Sequence, residues 1–249
     1  MNMEKLKVFG YIALLTSGLI SILYIMLGLP KLGTYVIFGL LYGYVLQRGR
    51  LCFATAFRDL YSYKNTRMAK GIVLGLIVEI IGFSTLISLG LAGVKLRETG
   101  LHTLIGGVIF GFGMAIAGGC ASGTLFKMGQ GNVQLWMAFF GTLAGMASLA
   151  YMWDSLWMNY IKYQPKTWLP NLMTFFGSIA LSLAVLITVG IFLFRAERNR
   201  FKIDLIKGAF NEIRKINPSS FLTSAWPAWF GFAILGLLNI AQLALIGKP

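Results

Sequence analysis

The sequence has few charged residues, few cysteines and almost no histidine, and each shortage narrows the class of protein. Of 249 residues, 12% are charged, two are cysteine and one is histidine, whereas 57% are apolar. This composition excludes a disordered chain or one that coats nucleic acid, despite a formal net charge of +14. The cysteines, Cys52 and Cys120, form no CxxC motif and no Cys/His spacing typical of zinc or haem sites. We therefore expect no metal, no other cofactor and no nucleic-acid partner.

Long apolar runs are abundant, and they predict helices that cross a membrane. A helix needs roughly 20 residues to span a hydrocarbon core of about 30 Å, and five runs reach that length. The predicted long spans are Val8–Leu29, Gly71–Val94, Val133–Trp153, Asn171–Phe194 and Ala225–Gly247. Two further apolar pieces, Leu32–Gln47 and Thr103–Gly119, are shorter, rich in glycine and run directly into the cysteines. The predicted fold class is all-α: a polytopic membrane protein with about five long transmembrane helices and two short or re-entrant helices ending at Cys52 and Cys120.

The distribution of lysine and arginine predicts how the spans are oriented. With a cytoplasmic N-terminus and all seven pieces crossing, sixteen basic residues fall inside and six outside, as the positive-inside rule requires. We therefore expect a multi-pass protein of the cell (inner) membrane. Residues 1–194 form its main membrane unit, residues 195–220 are predicted to form a charged cytoplasmic linker helix, and residues 221–249 supply one additional transmembrane span.

The chain contains a weak internal repeat centred on its two cysteines. A shift of 68 positions places Cys52 on Cys120 and Gly43 on Gly111. Each half of the repeat has a short apolar piece, a cysteine turn and a long span. Short or glycine-interrupted segments at matching positions are the best sequence indication of a transport site. The repeat therefore places the predicted transport site at the two cysteine turns.

The glycines around the second cysteine predict a broken helix that binds an anion. Gly118, Gly119 and Gly123 tolerate the backbone angles of a break, and non-helical backbone survives in a membrane only where protein or a water cavity surrounds it. A break of this kind directs free backbone N–H groups and a positive helix end into the cavity. The basic side chains predicted to attract the anion are Lys127 near Cys120, and Arg50 and Arg58 near Cys52.

Simpler interpretations of the same residues remain open. Glycine in membrane helices often serves only close packing, a buried cysteine is usually a small inert hydrophobic residue, and the basic residues could serve only to fix topology. Glu79 lies near the middle of its predicted span, where a carboxylate is costly and usually functional. It could equally be protonated or paired within a packed interface.

Two sequence blocks resemble a known family. The blocks "QRGRLCFATAFRDLYSYKNTRMAKG" (residues 47–71) and "IGGVIFGFGMAIAGGCASGTLFKMGQGN" (residues 105–132) resemble the YeeE/YedE family, the sulphur-transport domain, and most of all its YedE-type branch. The resemblance implies a transporter, not an enzyme, for a sulphur-containing anion, thiosulfate above all. It also implies a substrate path that carries Cys52 and Cys120, with Gly118, Gly119 and Gly123 around the second cysteine. Glu79 is outside the family pattern, so it is left out of this predicted site.

The resemblance leaves several alternatives for function and assembly. Transport of a selenium compound is one, and a membrane thiol–disulfide oxidoreductase or a non-transporting subunit of a sulphur- or selenium-handling complex are others. Full-length family members have two halves, and residues 221–249 resemble the opening span of a second half. We therefore expect either a half-transporter that pairs with a second copy or a second half-transporter chain, or a truncated product. The bilayer is the expected environment, and a cytoplasmic sulphur-carrier protein is a further candidate partner.

Overall fold

The computed structural model describes residues 3–63, 65–93, 98–166, 170, 173–201 and 226–246. Within these ranges the regular structure is helical and contains no β-strand. The α-helices are α1 (Met3–Met26), α2 (Pro30–Gly49), α3 (Phe53–Arg58), α4 (Arg67–Ser88), α5 (Leu101–Ala117), α6 (Ala121–Gly129), α7 (Val133–Asn159), α8 (Phe175–Phe201) and α9 (Ala228–Ile246). A π-helical turn, Asp59–Tyr63, continues α3, and a 3₁₀ turn, Ile161–Tyr163, follows α7.

The structure confirms the all-α polytopic class. Five of its helical segments are long and apolar enough to cross a membrane: Arg67–Ser88, Leu101–Gly129, Val133–Asn159, Phe175–Arg195 and Ala228–Ile246. The remaining predicted long span, Val8–Leu29, overlaps α1. Each predicted apolar run therefore contains a helix.

The two elements predicted to be short differ from that expectation. Helix α2 has 20 residues because Pro30, whose fixed φ suits the first helical position, starts it earlier than predicted. Helix α5 has 17 residues, but with α6 it belongs to an apolar segment of 29 residues. The helices also stop short of the cysteines, and each cysteine instead occupies the residue position just before the next short helix.

The predicted linker falls mostly outside the described residues. Helix α8 continues to Phe201, seven residues past the predicted boundary at residue 194. Residues 202–220, which complete the predicted linker helix, are among those that the structure does not describe. The additional span that follows is α9, which begins at Ala228.

Small residues bring α4 and α9 into close contact. A Cβ added to Gly71 would lie 2.8 Å from the Phe232 ring, and one added to Gly75 would lie 3.0 Å from the Phe232 carbonyl oxygen. Close backbone approach of this kind is the usual way in which helices associate in a membrane. Helix α2 packs against α9, and α8 packs on α4.

A small buried cluster fixes the first cysteine turn on this helix group. Val45, Leu51, Trp226 and Phe232 are all buried and in mutual contact. The backbone N–H of Trp226 donates to the carbonyl of Arg48 at 3.0 Å, which ties the start of α9 to the end of α2. The chain just before the first cysteine is therefore held by packing from a helix more than 170 residues later.

Candidate functional site

The two cysteine turns share one backbone geometry. Two residues before each cysteine the backbone is left-handed, with φ of 49° at Arg50 and 71° at Gly118. Cys52 and Cys120 then adopt extended backbone and precede α3 and α6. The positions match at the offset of 68 on which the sequence repeat was predicted. The two elements therefore resemble each other in structure as well as in sequence.

The two thiols meet in the interior. Cys52 Sγ lies 3.5 Å from Cys120 Sγ, and both cysteines are free. Their exposed fractions are 1% and 5%, although most side chains of the neighbouring helices face outward. The structure therefore brings together the two residues that the sequence predicted for the substrate path.

Glycine at position 123 makes this meeting sterically feasible. A Cβ added to Gly123 would overlap Cys52 Sγ and would lie 3.4 Å from Cys120 Sγ. Gly119 is tight as well, since its added Cβ would lie 3.2 Å from both the Leu135 side chain and the Thr124 hydroxyl oxygen. Gly118, by contrast, has open space and is needed for its positive φ.

The thiol of Cys120 caps its helix, whereas that of Cys52 does not. Cys120 Sγ accepts a hydrogen bond from the Gly123 N–H at 3.3 Å and lies 3.2 Å from the Ser122 hydroxyl. The side chain of Cys52 makes no such bond at the start of α3. The N-terminus of α6 thus directs a backbone donor at the sulfur pair, a polarity that favours negative charge.

The three basic residues predicted to attract an anion lie in different settings. Lys127 Nζ donates to the Gly118 carbonyl at 3.4 Å, so it bridges the second turn. Arg58 forms an ion pair with the adjacent Asp59 at 3.3 Å, which offsets its charge. Arg50 is exposed and supplies the left-handed residue of the first turn. Their role toward an anion stays a prediction.

A cavity of about 240 Å³ lies beside the thiol pair. Its lining is mostly apolar, from α2, α4, α9 and the first cysteine turn, and its polar members are Tyr42, Glu79, Ser122 and Asn239. Ser122 also contacts Cys120 Sγ, so one lining residue connects the cavity to the thiol pair. Its size and mixed lining suit a small ligand held by few polar groups.

Sequence reasoning missed most of the cavity. Ser122 lay inside the predicted turn but carried no signal of its own. Tyr42 and Asn239 hydrogen-bond each other across 197 positions, a separation over which no local pattern operates. Glu79 did give a signal, a lone carboxylate within a span, but it was left out because the family pattern did not include it.

The fold and the site define a polytopic helical membrane protein in which two broken-helix elements join their cysteines beside a cavity. A family model described as sulphur transport matches residues 48–249. The chain belongs to this sulphur transport family. Membership confirms the resemblance of the two sequence blocks.

Several curated relatives match about half of the chain. The probable transporter YedE of Escherichia coli (strain K12) is 39% identical over 125 residues, covering 50% of this chain and 31% of that protein. The thiosulfate transporter TsuA of Spirochaeta thermophila is 40% identical over 133 residues, or 52% and 40% of the two chains. TsuA of Escherichia coli (strain K12) is 43% identical over 109 residues, or 42% and 30%.

The chain spans less than half the length of these relatives. All three carry transporter names, in agreement with the prediction that the chain is not an enzyme.

Proposed function

We propose that this chain forms the substrate path of a membrane transporter for a sulphur-containing anion, with thiosulfate as its preferred substrate. The observation that carries the proposal is the 3.5 Å contact between Cys52 Sγ and Cys120 Sγ, buried where two broken-helix elements meet. The names of the TsuA relatives support thiosulfate as the substrate.

The chemistry of the thiol pair suits a soft anion. Thiosulfate is a dianion with a polarizable terminal sulfur, and a neutral thiol is a weak donor and a soft contact. Weak contacts of this kind can replace hydration without holding the ion too tightly to release it. We expect both thiols to be neutral when the anion passes, because a thiolate would repel it.

The contact between the sulfurs represents a closed constriction. Two sulfurs 3.5 Å apart leave no room for an anion between them, so passage requires the two turns to separate. The Gly123 N–H donates a hydrogen bond to Cys120 Sγ within the second turn itself, so this bond persists when the turns separate and holds the Cys120 thiol in place. Uptake would run toward the cytoplasm, with the N-terminus on that side.

A second membrane unit completes the proposed transporter. The chain spans less than half the length of its curated relatives, and much of α5 and α7 is exposed apolar surface. We propose that a second copy or a second half-transporter chain covers part of this surface. Chemical crosslinking in membranes, followed by size analysis, distinguishes a homo-oligomer from a mixed pair.

Uptake of radiolabelled thiosulfate by vesicles containing the purified chain tests the proposed function. We expect uptake that excess unlabelled thiosulfate blocks and excess sulfate does not, because sulfate lacks the soft terminal sulfur. The double variant Cys52→Ala/Cys120→Ala should lose this uptake. Competition of a selenium analogue with labelled thiosulfate measures whether the transporter prefers the sulphur or the selenium compound. Absence of uptake, with the chain alone and with a second half-transporter chain, would contradict the proposal.

The same short distance favours a second candidate, a membrane thiol–disulfide oxidoreductase. Sulfurs 3.5 Å apart need to move little to form a disulfide, whose S–S distance is about 2 Å. Trapping of thiols during turnover separates the candidates. Reversible cycling between thiols and a Cys52–Cys120 disulfide would favour the enzyme, whereas persistently free thiols during uptake favour the transporter.

A further inference from the structure

A polar cluster joins three helices next to the proposed path. Asn239 Nδ2 on α9 donates to Glu79 Oε1 on α4. The Tyr42 hydroxyl on α2 lies 2.5 Å from Asn239 Oδ1 and 2.7 Å from Gln242 Oε1. Glu79 is the thirteenth of the 22 residues of α4, so its carboxyl group lies near the middle of a membrane-spanning helix.

The cluster lines the cavity that Ser122 connects to the thiol pair. Glu79, Tyr42 and Asn239 line one part of this space of about 240 Å³, and Ser122 lines another. The Ser122 hydroxyl is 3.2 Å from Cys120 Sγ. Glu79 and Ser122 therefore line one cavity, and Ser122 links that cavity to the thiol pair.

No positive charge offsets the carboxylate in the described part of the chain. Among the described residues, the cavity lining contains no Lys, Arg or His, and its other titratable group is the Tyr42 phenol. The residues that helix α9 contributes to the polar cluster, Asn239 and Gln242, are uncharged. Helix α8, which packs on the other side of α4, has no titratable residue from Phe175 to Phe194. The nearest basic residue on α4 is Lys70, nine positions earlier.

An ionised Glu79 and a dianion would repel each other in this apolar cavity. Charge is costly at this depth in a membrane, and ionisable groups there typically mark ion paths and proton relays. Entry of a dianion into a negative cell interior is also opposed by the membrane potential. A proton bound at Glu79 neutralises the carboxylate and removes the first difficulty. Because it moves with the dianion, it also reduces the net charge carried inward from two negative charges to one, which lowers the electrical cost.

We propose that Glu79 is the proton-binding site that couples anion uptake to proton entry. This inference rests on the proposed transport function. A proton from the outer solution binds a carboxylate oxygen of Glu79, the anion then occupies the cavity and passes the thiols, and the proton leaves to the cytoplasm after the anion. Asn239, which the Tyr42 hydroxyl orients, holds the carboxyl group in both states.

The variant Glu79→Gln tests the coupling, since it keeps the shape and a hydrogen bond to Asn239 but cannot carry the proton. In vesicles with a trapped pH dye, we expect external acid to speed wild-type thiosulfate uptake by up to about tenfold per pH unit, the limit for one bound proton. Thiosulfate should also acidify the vesicle interior. Glu79→Gln should lose both effects but keep exchange of labelled for unlabelled thiosulfate. The control Glu98→Gln, whose carboxylate pairs with Lys166 at 3.3 Å, should behave as wild type.

Two results would overturn the coupling. The first is proton-driven uptake that survives in Glu79→Gln, and the second is uptake that depends on sodium without acidification. Infrared difference spectra of the purified chain test proton binding without transport. A protonated-carboxyl band that titrates in the wild type and in Glu98→Gln should be missing in Glu79→Gln, and its absence from the wild type would also overturn the proposal. Failure of thiosulfate exchange in the wild type would instead count against the proposed function.

Discussion

The two cysteine turns reach the same backbone geometry with different residues. The second turn uses Gly118 for its left-handed position, whereas the first uses Arg50, the one non-glycine residue with positive φ in the described part of the chain. A left-handed backbone costs an ordinary residue roughly 1–2 kcal/mol more than it costs glycine. The surroundings therefore impose this geometry on the first turn. They consist of the buried Leu51 and its packing partners on α9.

The turns also differ in how they use their sulfurs. Cys120 Sγ is both a contact of Cys52 and the acceptor that caps α6. The Cys52 side chain makes no cap hydrogen bond. In the second turn, a single thiol therefore has both a structural and a proposed transport role. In the first turn, the Cys52 thiol has only the proposed transport role. Predictions that change one turn at a time test this division.

The largest effect is expected at Gly123, where both turns meet. Gly123→Ala would place a methyl group onto Cys52 Sγ and against Cys120 Sγ, which forces the turns apart. We expect destabilisation of about 1–3 kcal/mol, as for other overpacked sites, and loss of most thiosulfate uptake. Uptake and thermal unfolding in detergent measure the two effects.

The matched control is Gly129→Ala on the same helix, where an added Cβ meets nothing within 4 Å. This control should leave uptake close to wild type. Equal behaviour of the two alanine variants would show that the sulfurs do not need the space at Gly123.

The next largest effect is expected when either thiol is removed, and the two thiols should differ in their effect on stability. Cys52→Ala and Cys120→Ala should each lower uptake by roughly tenfold or more, equivalent to at least about 1.4 kcal/mol in the barrier. Cys120→Ala should also destabilise the fold by about 1 kcal/mol, because it removes a helix cap. Cys120→Ser restores an acceptor for the Gly123 N–H and should recover this stability but not the uptake.

Thermal unfolding and uptake of the same three variants give the measurement. Unchanged uptake in Cys120→Ala would contradict the thiol path. Equal unfolding temperatures of the two alanine variants would contradict the difference in capping.

Much of the fold could be predicted from the sequence because the bilayer imposes simple rules. Uncharged runs of sufficient length must be helical, since backbone polar groups find no water in hydrocarbon. Each predicted run accordingly contains a helix. The breaks were also predictable, because Gly118 and Gly119 interrupt an otherwise apolar helix and the offset of 68 points to a matching break at Cys52.

Other features could not be predicted because they depend on distant packing. Arg50 has no sequence signal for a positive φ, and its conformation follows from how Leu51 is buried against α9. The fit of Gly123 against Cys52 joins residues from two separate elements. The pairing of Asn239 with Tyr42 and Glu79 depends on how α9 docks on α2 and α4. No local sequence pattern predicts such contacts, so the cavity could be identified only from the structure.

The smallest effect concerns the left-handed positions themselves. Gly118→Ala adds a Cβ that meets nothing within 4 Å, so its cost is the backbone strain alone, about 1 kcal/mol. Arg50→Gly relieves the same strain but gives the unfolded chain more freedom, worth about 0.4–1 kcal/mol, so we expect little change or a slight gain in stability. Unfolding temperatures in detergent should therefore fall for the first variant and hold or rise for the second.

The control for these positions is Gly113→Ala, which lies inside α5 with open space around it. There alanine should stabilise the helix by about 0.5–1 kcal/mol. If Gly118→Ala behaved like Gly113→Ala, the left-handed residue would not be needed for the second turn. Attraction between exposed charges is strongest when salt does not screen it. If Arg50→Gly kept its stability but took up thiosulfate more slowly at low salt, the guanidinium would therefore be needed to attract the anion. The first turn would then keep arginine for its charge despite the strain, whereas the second, with Lys127 close by, is free to use glycine.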